Sequence, residues 1–141
     1  MGEFIKPQYL CITSGLFFVA LLIYFLTDDM SLEKNILASI LFLCFLLSQI
    51  FWYDPINNSF IHKMDARIAK LNAFLFILYT FFYKKIPGFV LFLYLLLGLL
   101  TLYAFRKSDY YSTKEWCSDD HLFIHSFIHI AGFFGALYAF L

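Results

Sequence analysis

Hydrophobic residues run along this chain in long blocks, without the alternation of a half-buried strand. Five blocks stand out, at residues 8–27, 35–53, 68–83, 88–105 and 121–141. A bilayer core of about 30 Å is crossed by about 20 residues of helix. The pattern therefore predicts an all-α integral membrane bundle of five transmembrane helices, a single domain over residues 1–141. The third block is short and opens beside Lys70, whose stem can lie along the helix while its ammonium reaches the headgroups. The first block is too long for a signal-peptide core and ends at "TDDM", with no small-residue cleavage site; it is expected to stay as a span.

Charge collects between the blocks, in "DDMSLEK", "DPINNSFIHKMDARIAK", "KKIPG" and "RKSDYYSTKEWCSDD". If odd-numbered spans start on one side, that side holds Lys6, Lys63, Arg67, Lys70, Arg106, Lys107 and Lys114, and the other only Lys34, Lys84 and Lys85. Positive charge marks the cytoplasmic face. The N-terminus is thus expected in the cytoplasm and the C-terminus outside, and the sequon at Asn57–Ser59 would go unused. The composition agrees with a lipid solvent: 62% hydrophobic and 14% charged residues, with a mean hydropathy of +0.78, against about 25% charge in soluble domains. Net charge is zero, so the basic surface that nucleic acid requires is missing and the lipid bilayer is the expected partner. Cys11, Cys44 and Cys117 form no CxxC pair and read as packing residues.

Chemistry concentrates at one face. In "DDHLFIHSFIHIAGFF" the histidines His121, His125 and His129 recur every four residues and so share one stripe of a helix. Ser118 and the carboxylates of Asp119 and Asp120 suit the start of that helix. His129 then lies about 12 Å beyond His121, below the headgroups, where ionisable side chains are expensive and point to function. His62, Asp65 and Asp54 flank the second and third spans at the same face, and Ser48 and Gln49 approach it from the end of the second. Asn72, two helical turns after Asp65, can share its side of the helix. Neutral imidazoles four apart can converge on one zinc, but three in a row cannot all do so. One pair would ligate, either His121 with His125 or His125 with His129. His62 would be a third ligand, while Asp65, Asp54 or Ser48 would complete the site or position a metal-bound water. The competing reading is that the histidines face headgroups or bond to neighbouring helices.

These residues resemble the motif set of the CREST superfamily, seven-span membrane proteins that include alkaline ceramidases, progestin and adiponectin receptors and hemolysin III proteins. There a serine is followed four residues later by histidine at the end of span 2, an aspartate opens span 3, and HxxxH opens the last span. Ser48 in "LLSQIFWYD", Asp65 in "HKMDARIAK", and His125 with His129 in "HSFIHIAGFF" follow that order. The resemblance covers about half the chain and departs from the family twice. Trp52 stands where the span-2 histidine would be, and five spans replace seven. Deleting two spans keeps the last one starting at the same face.

What the resemblance implies is a zinc-dependent hydrolase of a lipid amide or ester at the cytoplasmic leaflet. Zinc would sit on His125, His129 and His62, with Asp65 as base or water orienter and Ser48 as oxyanion support. It would be degenerate if nothing replaces the missing histidine. The alternative is a non-catalytic membrane scaffold or an accessory subunit bound to other membrane subunits, because its phenylalanine-rich helices would pack well against partner helices.

Overall fold

The computed structural model describes residues 6–141. Among them are five α-helices and no strand: α1 (Tyr9–Phe25), α2 (Leu32–Tyr53), α3 (Phe60–Tyr83), α4 (Gly88–Lys114) and α5 (Asp119–Phe140). Helices α2 to α5 are long and apolar enough to cross a membrane; α1, with 17 residues, is apolar but shorter.

Serine side chains start three of the helices. Ser31, Ser59 and Ser118 each accept a hydrogen bond from the backbone N–H three residues on, at Lys34, His62 and His121, over 3.2, 3.1 and 3.4 Å. Each satisfies a donor that the first helical turn leaves free. Asn58 and Cys117, both at φ 59°, precede two of these caps and turn the chain into its helix through the left-handed region. Helices α3 and α4 outrun their apolar blocks the most. Helix α3 begins at Phe60 rather than residue 68, and α4 continues past residue 105 to Lys114. Hydropathy marks only the apolar stretch, whereas the Ser59 cap sets the start of α3, so His62, Asp65 and Lys70 are helical rather than part of a connection. Helix α2 likewise starts at Leu32 and takes Lys34 into the bundle.

Helix α5 packs against α1 and α4, α1 against α2, and α2 against α3, while α3 and α4 scarcely meet. Around the bundle the order is therefore α3, α2, α1, α5, α4, with an opening where the ring would close. The core joins Phe17, Leu21 and Tyr24 of α1 to Leu41 of α2, Phe76 of α3 and Phe140 of α5. Helices α1 and α5 approach closely because small residues line the contact. A Cβ on Gly132 would lie 3.0 Å from the Phe17 ring, and Ala136 and Ala139 beyond it are buried, the small-residue spacing that lets helices touch in lipid. Ser14, Ser48, Asp65, Asn72 and His129 are buried, while Leu26, Phe60, Phe89 and Phe123 lie on the outside. Polar groups inside and phenylalanine outside is the arrangement a hydrocarbon solvent favours.

At the end of the bundle away from the histidines, lysines cap α5. Lys34 Nζ is buried, paired with Asp29 at 2.6 Å and donating to the Phe140 carbonyl at 2.9 Å; Lys84 donates to the Tyr138 carbonyl. Both neutralise carbonyls that the last turn leaves unpaired. The hydrogen bond from Lys34, then its charge, holds the Asp29 carboxyl below its ordinary value. Burial, then the charge of Lys34, lowers Lys84.

Candidate functional site

Each helix delivers polar side chains to the same end of the bundle: Thr13 early in α1, Ser48 late in α2, Asp65 early in α3, Ser108 late in α4, and His121, His125 and His129 along the first half of α5. All but Thr13 line one cavity, which occupies the gap between α3 and α4. The histidines, Ser48, Asp65 and Asn72 make its polar part. Phe76, Leu97, Gly98, Phe105, Ile128 and Gly132 make its apolar part. About 110 Å³ is open to the centre of a water-sized sphere, well above the ~10–15 Å³ one water needs. Lys70 of α3 and Asp109 of α4, both exposed and 4.0 Å apart, meet across the mouth.

The most unusual wall residue is Asp65. It is 95% buried, being only 5% exposed, and makes no hydrogen bond or ion pair with any described residue. Asn72 Oδ1 and Trp52 Nε1, on walls of the same cavity, are also buried without partners. Unpaired buried polar groups are rare, and two such atoms on one cavity beside the Asp65 carboxyl point to a polar occupant.

Hydrogen bonds fix the histidine tautomers, since a neutral imidazole carries one proton. Nδ1 of His62 accepts from the Asn58 N–H at 3.0 Å, and Nδ1 of His121 from the Cys117 N–H at 3.3 Å. In both rings the proton is therefore on Nε2, which has no lone pair to offer a metal. His129 can take the reverse form. Thr13 Oγ1 lies 3.2 Å from the Leu10 carbonyl and 2.8 Å from His129 Nδ1. When Thr13 keeps its proton on Leu10 it accepts from Nδ1–H, and His129 Nε2 then presents a lone pair, which Ser48 Oγ faces at 3.4 Å. His125 Nδ1 shares a hydrogen bond with Ser108 Oγ at 2.9 Å, in which either can donate.

The two ligand pairs read from the sequence differ in ring spacing. Two imidazoles on a tetrahedral zinc, with bonds of about 2.0–2.1 Å, have ring centres about 5 Å apart. The His125 and His129 centres are 5.0 Å apart, those of His121 and His125 5.9 Å. The third position does not fit. His62 stacks on Phe51 at 4.8 Å and lies tilted against Trp116 at 5.0 Å, and Trp52 lies edge-on to His125 at 4.7 Å. No group of three His, Cys, Asp or Glu among the described residues is placed to hold a metal ion. Among the described residues, His125 and His129 have the ring spacing that two ligands of one zinc require, and no third ligand is placed with them.

Of the other residues singled out by sequence, Asp54 is exposed at the end of α2 and lies off the cavity, and Gln49 turns to α1, where Nε2 donates to the Cys11 carbonyl and Ser14 Oγ at 2.7 and 2.9 Å. Sequence reasoning missed Thr13, Ser108 and Trp116. "CITSG" inside the first apolar block held a signal for Thr13, since a hydroxyl in lipid must find a partner. Comparison with protein-family models, curated proteins and solved structures finds no match for this chain.

Proposed function

We propose that this chain is a multi-pass integral membrane protein, all five helices crossing the bilayer and its N-terminus cytoplasmic, that admits a lipid amide or ester from the cytoplasmic leaflet between α3 and α4 and hydrolyses it. The observation that carries the reading is Asp65: a buried, unpartnered carboxyl group on a cavity polar at one part and apolar along the rest. Such a wall suits an amphiphile, its linkage beside Asp65, Ser48 and His129 and its acyl chain along Phe76, Leu97 and Ile128. Access through the side of the bundle suits a substrate dissolved in the bilayer, and the excess of lysine and arginine at this end supports the cytoplasmic leaflet. A zinc on His125 and His129 would polarise the carbonyl, but with only two ligands in place no step is assigned to it. The test is release of fatty acid from lipid amides and esters by the purified protein in liposomes, with elemental analysis of the same sample. Release that Asp65→Asn reduces is the expected result; no release from either class, and no lipid retained on purification, would overturn it.

A second reading, a non-catalytic accessory subunit, is favoured by the band of exposed phenylalanines on α3 and α4, Phe74, Phe81, Phe82, Phe89 and Phe92, which would pack well against partner helices. Native mass spectrometry of the membrane-extracted protein separates the two, since this reading requires a stoichiometric second subunit.

A further inference from the structure

Where the resemblance would put a third zinc ligand the chain has Trp52, and one turn before it a serine faces an imidazole. Ser48 Oγ, 1% exposed as a residue, lies 3.4 Å from His129 Nε2, and Thr13 holds the opposite ring nitrogen at 2.8 Å. Phe17 packs edge-on to the His129 ring at 5.6 Å, so the ring is fixed by contacts on α1 as well as by its own helix. Nucleophile, base and orienting group thus stand in sequence on α2, α5 and α1, the nucleophile and base both on the wall of the cavity. A 3.4 Å separation is long for a hydrogen bond but within the slack that a site without substrate shows.

We infer that Ser48 is a metal-independent acyl-transfer nucleophile, with His129 as its general base and Thr13 as the residue that positions His129. This rests on the lipid amide or ester hydrolysis proposed above and supplies its mechanism, with His129 Nε2 used as the base in place of holding a zinc. Ser48 Oγ attacks the carbonyl carbon while its proton passes to His129 Nε2; Nδ1–H remains bonded to Thr13, which steadies the imidazolium. As the tetrahedral intermediate collapses, the C–N or C–O bond breaks, and the leaving nitrogen or oxygen takes the proton from Nε2. The acyl group is left on Ser48 as an ester. Water then attacks that ester and gives a proton to Nε2; the acyl–Oγ bond breaks, Oγ recovers the proton, and a fatty acid departs. Trp52, one turn after Ser48 on α2, supplies the donor for the developing oxyanion, which accounts for a buried indole N–H with no partner. The side chain that replaces the family's metal ligand would thus take over the metal's task of stabilising negative charge.

The experiment is covalent capture with a long-chain alkyl fluorophosphonate, which labels activated serines, using the full chain in detergent with and without chelator. Ser48 is expected to carry the label by peptide mass spectrometry, at a rate unchanged by chelator. Ser48→Ala should abolish it, and His129→Gln should slow it by about 10²-fold or more. Thr13→Val and Trp52→Phe should slow it several-fold, while the exposed Ser39→Ala should leave it unchanged. Melting temperatures separate misfolded variants from inactive ones. Labelling elsewhere, labelling indifferent to His129→Gln in a folded protein, or no labelling would overturn the inference. Fatty-acid release is measured in parallel: release that survives Ser48→Ala and disappears with chelator would overturn the serine mechanism while leaving the hydrolase reading in place. Absence of release together with absence of bound lipid would defeat the hydrolase reading itself.

Discussion

At the scale of single residues, Asp65 cannot be explained by packing. A carboxyl buried without a partner destabilises the bundle, and a side chain of similar size without charge would remove that penalty. Asp65→Leu is therefore expected to raise thermal stability by about 1–3 kcal/mol, read as a higher melting temperature in detergent, while abolishing fatty-acid release. A fall in both would mean that the carboxyl has a structural partner after all. Thr13 makes the complementary case. Thr13→Val keeps the shape of the side chain but releases His129 Nδ1, so the ring loses its fixed tautomer; nitrogen chemical shifts of labelled histidine should then show a mixture at this site where the native protein shows Nδ1–H. Part of this chemistry was legible in sequence and part was not. Spacing put His125 and His129 on one stripe and Asp65 with Asn72 on another, but no spacing tells which ring nitrogen holds a proton. That depends on Thr13, 116 residues from His129 along the chain.

At the scale of elements, the Ser118 cap and the Gly132 contact hold α5 in register with its neighbours. Ser118→Ala removes the acceptor for the His121 N–H and should cost about 1 kcal/mol; Gly132→Leu forces a side chain into the Phe17 ring and should separate α1 from α5, seen as a larger loss of melting temperature with loss of Ser48 labelling. Ionic contacts at the far end of α5 give a pH signature. Because Lys34 holds the Asp29 carboxyl below its ordinary pKa of 3.8, the stabilisation it brings is complete above about pH 4 and is lost as pH falls through the lowered value. Lys84 is also lowered, so the folded state binds fewer protons here too, and its contribution grows only as pH rises toward its ordinary 10.5. Melting temperature should fall below about pH 4 in the native protein and less steeply in Asp29→Asn. Apolar blocks located every helix among the described residues, yet they missed the first turns of α3 and the last of α4. Hydropathy averages over a window, whereas helix length follows caps and hydrogen bonds.

At the scale of the whole molecule, the opening between α3 and α4 is the feature on which the proposed lipid entry depends. Lys70 and Asp109 span it as an exposed ion pair worth little by itself, so they should act as a loose latch. Joining Lys70→Cys and Asp109→Cys with a short bifunctional maleimide is expected to block fatty-acid release from liposomes and leave the melting temperature unchanged or raised. Orientation is checked in the same preparation: an impermeant thiol reagent should reach Cys117 from the cytoplasmic side, and an added cysteine at Lys85→Cys from the outer side.

Sequence alone determined the number and kind of elements, and the clustering of histidine and carboxylate toward one end, because these follow from local hydropathy and from up-and-down parity. Only the tertiary structure decided which helices touch. It placed α1 beside α5, so that Thr13 reaches His129, and left α3 apart from α4, although they are neighbours in the chain. Those outcomes come from the close approach of small residues such as Gly132 to Phe17, and from contacts between segments that nothing in the order of residues brings together.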